Sequence, residues 1–127
     1  MLNPSTADAT FDDPTIRRCK SFTASFGCSR MEVVNLFALR STSPQALYEH
    51  QDPIGPRNDE VIKQAMKRAD LIVAAWGNHG GYRGRDREVA SLAGDWPLFC
   101  LRTSKEGHPG HPLYIAATTP LTPWSIR

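Results

Sequence analysis

Apolar positions along this chain alternate between two periods. Ile16, Cys19, Phe22 and Phe26 recur at three- and four-residue spacing behind Asp12-Asp13-Pro14. That pattern predicts a helix capped by Asp13, with Pro14 in its first turn and Gly27 at its end. Met31 to Phe37 is β-branched and mostly apolar, the pattern of a buried strand. Ser43-Pro44 opens a short helix to about His50, and Asp52-Pro53-Ile54-Gly55-Pro56 is a turn. Val61, Ile62, Ala65, Met66 and Ala69 form a helical stripe between Pro56 and Ala69. Leu71 to Trp76 is the clearest buried strand, Gly77 to Gly84 a glycine-rich loop, and Asp86 to Ala93 a helix stopped by Gly94. Leu98 to Leu101 is a third strand. The first dozen residues and the stretch from Thr103 to Arg127 read as loop, with a short extended piece at Leu113 to Ile115.

The strands are continuous apolar runs separated by helices. This predicts a three-layer α/β/α domain with a short, mostly parallel sheet covered on both faces. In such folds, working residues sit at the carboxyl ends of the strands. Those ends are Asn35-Leu36-Phe37, Trp76-Gly77-Asn78-His79 and the segment from Thr103 to His111.

Composition narrows this picture. A chain of 127 residues is one domain, at roughly 150 residues per domain. With 40% hydrophobic and 22% charged residues, it is neither a collagen, a disordered tail nor a coiled coil. No apolar run approaches the ~20 residues that span a bilayer, so no membrane partner is expected. Met1-Leu2-Asn3-Pro4 lacks the features of a secretion signal. Three cysteines, an odd number without metal spacing, fit a reduced cytoplasmic compartment. A net charge of +2 makes no bulk argument for nucleic acid, and leaves the question to local loops.

Four segments can carry chemistry. In Leu2-Asn3-Pro4-Ser5, an amide beside a proline can orient a water or a substrate, or simply form an Asx-Pro turn. Asn35 interrupts a buried strand end. Its donor and acceptor suit the edge of a nucleobase, and they suit equally the anchoring of a loop. Gly77 to Arg85 mixes glycines, His79, Tyr82, Arg83 and Arg85, which can bind phosphate or form a solvated loop. It matches neither a P-loop nor a dinucleotide fingerprint. Gly107-His108-Pro109-Gly110-His111-Pro112-Leu113-Tyr114 can present an imidazole to a developing negative charge. No residue at a completing spacing makes it a zinc site, and no metal is expected.

These segments also carry a resemblance. Met1 to Asp8, Asp12 to Cys19, Val34-Asn35-Leu36-Phe37-Ala38-Leu39-Arg40, Ala75-Trp76-Gly77 and Gly107 to Tyr114 resemble a bacterial and phage family catalogued as domain of unknown function 1643. The likeness runs over nearly the whole chain and implies no activity.

The order of segments is also similar to the uracil-DNA glycosylase superfamily, whose members have a parallel four-stranded sheet with helices on both sides. Leu2-Asn3-Pro4-Ser5 is similar to its Gly-Ile-Asn-Pro-Gly motif, Val33-Val34-Asn35 to the strand whose Asn reads the base, and Ala74 to Asn78 to its Leu-Trp-Gly segment. His111-Pro112-Leu113, or His108-Pro109-Gly110, is similar to its closing His-Pro motif. The resemblance implies a hydrolase of N-glycosidic bonds acting on a uracil-like or modified base, without a cofactor. Asn3 would hold the attacking water, with Pro4 and Ser5 beside it. Asn35 would pair with the base edge, near Trp76 and Asn78, and Phe37 would stack on the base. His111 or His108 would stabilise the leaving base. Leu113 and Tyr114 would form a wedge in DNA, and Arg83 and Arg85 would contact phosphate. The alternatives are a nucleotide- or nucleic-acid-binding module without turnover, and a degraded remnant.

Two departures bear on this. The strongest form of the first motif carries Asp where this chain has Asn3, and an amide can orient water but cannot accept its proton. Members of both families have a strand ahead of the Asn-Pro motif, inside the sheet, which this sequence lacks. Its absence is expected to leave two strands without a neighbour. The expectation is that the start is misassigned, that the fragment is marginal, or that it rearranges or oligomerises.

Overall fold

The computed structural model describes residues 1–4, 13–41 and 43–126. Helix α1 spans Pro14–Ser25, α2 Gln45–Glu49, α3 Asn58–Arg68 and α4 Arg85–Ala93. Strands β1 (Ile72–Val73), β2 (Leu98–Cys100) and β3 (Thr122–Trp124) form one sheet in the order β1-β2-β3. Two 3-10 segments, Asn78–Gly84 and Pro112–Tyr114, lie between them.

The local signals act as their chemistry requires. The Asp13 carboxylate accepts from the Thr15 N–H, and Pro14 takes the helical position that needs no donor. Gly94 ends α4 with φ 58°, a backbone conformation that favours glycine. In α3, Asp59 and Glu60 lie in the first turn and Lys67 and Arg68 in the last, each favourable to the helix dipole.

The sheet is mixed rather than mostly parallel. β1 pairs with β2 in parallel (Ile72↔Leu98, Val73↔Phe99), but β2 pairs with β3 antiparallel (Leu98↔Trp124, Cys100↔Thr122). β3 falls in the region expected to be loop. Pro123 lacks an N–H, and an edge strand is where a sheet accommodates it. The piece expected to be extended at Leu113 to Ile115 instead follows a 3-10 turn at Pro112–Tyr114, because His111 Nδ1 accepts the Leu113 N–H and curls the chain.

The largest correction concerns Met31 to Phe37, which is not a strand of this sheet. Its end pairs with the chain's first residues: Met1 N donates to Val34 O (2.8 Å) and Leu36 N to Met1 O (2.9 Å). These two bonds flank Asn35 as they would in a parallel ladder. Phe37 N then donates to Leu2 O (2.9 Å) and Ser41 N to Pro4 O (3.0 Å), so residues 1–4 run alongside 34–41. A strand needs a partner along its length. Between residues 31–34 and β1 the structure has instead a cavity of about 560 Å³.

The main core gathers Leu2, Leu36, Phe37, Leu47, Ile62, Met66, Trp76, Val89 and Trp124 around that cavity and the strand ends. Trp76 and Trp124 meet edge to face at 5.2 Å, and the Trp124 indole N–H donates to Gly107 O (3.0 Å). A smaller cluster of Phe22, Leu101 and Ile115 fixes α1 against the second 3-10 segment.

Candidate functional site

Segments 1–4, 34–37 and 109–114 are held by backbone contacts. Met1 is paired with the strand end that carries Asn35, and Gly77 N donates to Pro109 O (2.7 Å), linking the end of β1 to the His-Pro loop.

Asn3 has its amide nitrogen fully engaged. Nδ2 donates to the carbonyls of Leu39 (3.0 Å), Ser41 (3.3 Å) and Pro4 (3.4 Å). This ties residues 39–41 to the first residues of the chain. It also fixes the amide plane and leaves Oδ1 as the acceptor still open among the described residues. Pro4 is half-buried beside it. Ser5 lies outside the described residues.

Asn35 is held through its backbone. Asn58 Nδ2 donates to Asn35 O (2.8 Å) and Leu36 O (3.0 Å). The Asn35 side-chain oxygen is buried and accepts no hydrogen bond. Buried acceptors are almost always satisfied. An open one is free to accept from a ligand or an ordered water.

His111 Nδ1 accepts from the Leu113 N–H (3.2 Å). In the neutral ring that bond assigns the proton to Nε2, making Nε2–H a donor. Burial lowers the His111 pKa, the Met1 amino group lowers it further when it is charged, and Asp13 opposes them. His111 is thus a neutral donor close to the chain's first residues. His108 is half-buried elsewhere: a methyl placed on Gly81 would sit 3.6 Å from its Cε1 and 3.8 Å from Asp86 Oδ2.

The aromatic and basic residues divide. Phe37 is completely buried, with its ring 6.0 Å from that of Tyr82. It supports the core and offers no open face, contrary to the expectation of a stacking platform. Trp76 is also buried, and its indole N–H is unpartnered. Asn78 is exposed in the 3-10 segment. Arg83 is exposed and donates to the carbonyls of Gln51 (3.2 Å) and His50 (3.4 Å). Arg85 corrects the expectation of a phosphate contact: it is 0% exposed and donates through Nε to Leu36 O (2.7 Å). Tyr114 is 76% exposed and Leu113 stands beside it at the surface.

Sequence reasoning missed Asn58 and the true place of Arg85. A signal existed for the second: Arg85, Val89 and Ala93 recur every four residues, the buried face of α4. Among the described residues no group of three His, Cys, Asp or Glu could hold a metal. No helix of the described chain is long and apolar enough to cross a membrane.

The helices and the small three-stranded sheet make this a mixed α/β protein. A family model described as a protein of unknown function (DUF1643) matches residues 1–113, and the chain belongs to that family. No curated protein and no solved structure matches the chain.

Proposed function

We propose that this chain binds a nucleobase-bearing ligand at Asn3, Asn35 and His111 and hydrolyses its N-glycosidic bond. The observation that carries the reading is the Asn35 side-chain oxygen, buried without a partner on a peptide that Asn58 clamps in place. An N–H on the edge of a base satisfies such an acceptor, and a ligand lacking that N–H leaves it unpaired.

The other two residues fit the remaining tasks. Asn3 Oδ1 accepts a hydrogen bond from a water and orients it, with its own amide plane set by three carbonyls. The water oxygen bonds to C1′ as the C1′–N bond breaks, and the electron pair leaves with the base. Neutral His111 donates Nε2–H to that anion, an interaction worth roughly 3 kcal/mol in the transition state. The water's proton goes to solvent, since an amide cannot take it. Leu113 and Tyr114, exposed beside His111, suit insertion where a base leaves a duplex. Arg83 is the surface arginine of the pair first considered for phosphate.

The test is base release from oligonucleotides carrying uracil, mismatched and modified bases. Release that falls at least a hundredfold in both Asn35→Ala and His111→Ala supports the reading. Binding that Asn35→Ala abolishes, with no release by the parent chain, replaces it with a binding module. Neither binding nor release by a cooperatively folded chain overturns both.

A further inference from the structure

A ladder of rings climbs from the core to the surface through the glycine-rich loop. Phe37, completely buried, has its ring 6.0 Å from that of Tyr82. Tyr82 meets Tyr48 edge to face at 4.3 Å. The Tyr48 hydroxyl is hydrogen-bonded to His79 Nδ1 at 2.9 Å, with the two rings 5.9 Å apart. The lower rings are fixed by packing, whereas Tyr48 is 43% exposed and His79 is exposed. A ring already held by its neighbours loses little freedom when a ligand stacks on it.

Arg83 stands beside this ladder in a backbone conformation that arginine rarely adopts. Its φ is 56°, and no other non-glycine residue among those described has a positive φ. The guanidinium lies over the Tyr82 ring, 5.3 Å from its centroid. Nη1 and Nη2 each donate to a carbonyl, of Gln51 and of His50. A guanidinium has five N–H groups, so donors remain after these two bonds, and the side chain is exposed. Asp52, next to Gln51 in sequence, is turned to the Gly55 N–H (3.3 Å). Glu49, next to Tyr48, is exposed and offsets part of the local charge.

We propose that Tyr48, His79 and Arg83 form a docking surface for single-stranded nucleic acid, with a base stacked on the exposed Tyr48–His79 edge and the adjoining phosphate on Arg83. Stacking suits any base, because each has a π-face, and the cation supplies the phosphate contact. Asn78, exposed next to His79, adds an amide. None of these exposed side chains is aliphatic, whereas the centre of a protein–protein interface is largely apolar. The stacking role expected of Phe37 thus falls to the exposed end of its ladder. The inference rests on the proposed function only for its ligand class. Its test measures binding and not base release, so either fails without the other.

The probes are a fluorescent oligothymidine decamer and an abasic strand of the same length, titrated into the 127-residue chain and followed by anisotropy. The decamer is expected to bind at least tenfold more tightly than the abasic strand. Tyr48→Ala removes that difference, and Tyr48→Phe, which keeps the ring, retains it. Arg83→Gly suits the left-handed backbone, so it keeps the fold while removing the charge. It is expected to weaken both strands alike and to lower the salt slope of binding by about 0.7. Equal affinity of the parent chain for the two strands, a preference that Tyr48→Ala leaves intact, an unchanged salt slope in Arg83→Gly, or no binding of either strand overturns the proposal.

Discussion

Arg85 reaches through the core to the backbone of Leu36, its Nε 2.7 Å from that carbonyl oxygen, 49 residues away in sequence. The guanidinium also lies 2.6 Å through Nη1 from Asp59 Oδ1, a contact whose geometry is ionic rather than a hydrogen bond. A second carboxylate, Glu88, lies 3.9 Å from the same nitrogen, and both carboxylates are exposed, so the buried cation is poised rather than comfortable. Removing Asp59 leaves the charge only the more distant Glu88, whereas removing the whole Arg85 side chain removes the charge as well. Asp59→Asn is therefore expected to cost about 3 kcal/mol. Arg85→Met, which keeps volume without charge, should cost less than Arg85→Ala, which opens a cavity worth about 2–4 kcal/mol. Urea unfolding of the three variants ranks them. An Asp59→Asn change within 0.5 kcal/mol of the parent would show that the contact contributes little.

Asn58 makes a narrower prediction. Its amide nitrogen serves two carbonyls at the end of residues 31–36. Asn58→Ala should cost about 2 kcal/mol, near the sum of two ordinary hydrogen bonds. Asn58→Asp should cost more, because a carboxylate then faces both carbonyl oxygens. If the two variants unfold at the same urea concentration, the donor role of Nδ2 is wrong.

Gly80 and Gly81 are adjacent glycines with opposite tolerance. A Cβ on Gly80 would lie 2.0 Å from Trp76 Cδ1 and 2.6 Å from its Nε1, and the Trp76 ring is held by Trp124 at 5.2 Å. A Cβ on Gly81 meets nothing closer than 3.6 Å. Gly80→Ala is expected to destabilise by about 3 kcal/mol or more, through overpacking against a ring that cannot move aside. Gly81→Ala should stay within about 0.5 kcal/mol of the parent. Thermal melts of the pair decide it, since equal effects would mean that Trp76 has room to shift.

What the sequence made legible follows from where each signal resides. Asp13-Pro14 and Gly94 are local punctuation, and they set the helix ends whatever the rest of the chain does. β1 and β2 show as apolar runs because both are enclosed. Met31 to Phe37 shows the same run, but a strand is a relation between two segments, and among the described residues only its end is paired, with Met1 and Leu2. β3 was hidden because Pro123 contradicts a strand everywhere except at an edge. Asn3, Asn35 and His111 stood out as polar residues in an Asn-Pro turn, at the end of an apolar run and in a His-Pro loop. The reading of Arg85 failed because residue type outweighed its fourfold spacing with Val89. Asn58 gave no signal, as its role depends on a carbonyl pair 22 and 23 residues away.

Acid should loosen this fold through two buried bases. The Met1 amino group falls from 8.0 to about 6 by burial, and burial likewise lowers His111. In both, the unfolded chain takes up a proton at a pH where the folded chain does not. Stability is therefore fully present above about pH 8 and declines as pH falls, through the amine between about 8 and 6 and through His111 below its ordinary value of 6.5. The amine alone contributes about 2–3 kcal/mol across that window. Melting temperature should rise steadily from pH 5.5 to 8.5. Acetylating Met1 should remove the part above pH 6.5 and leave the His111 part, while His111→Gln should do the reverse. A flat profile in the parent chain would mean that neither base is enclosed as described.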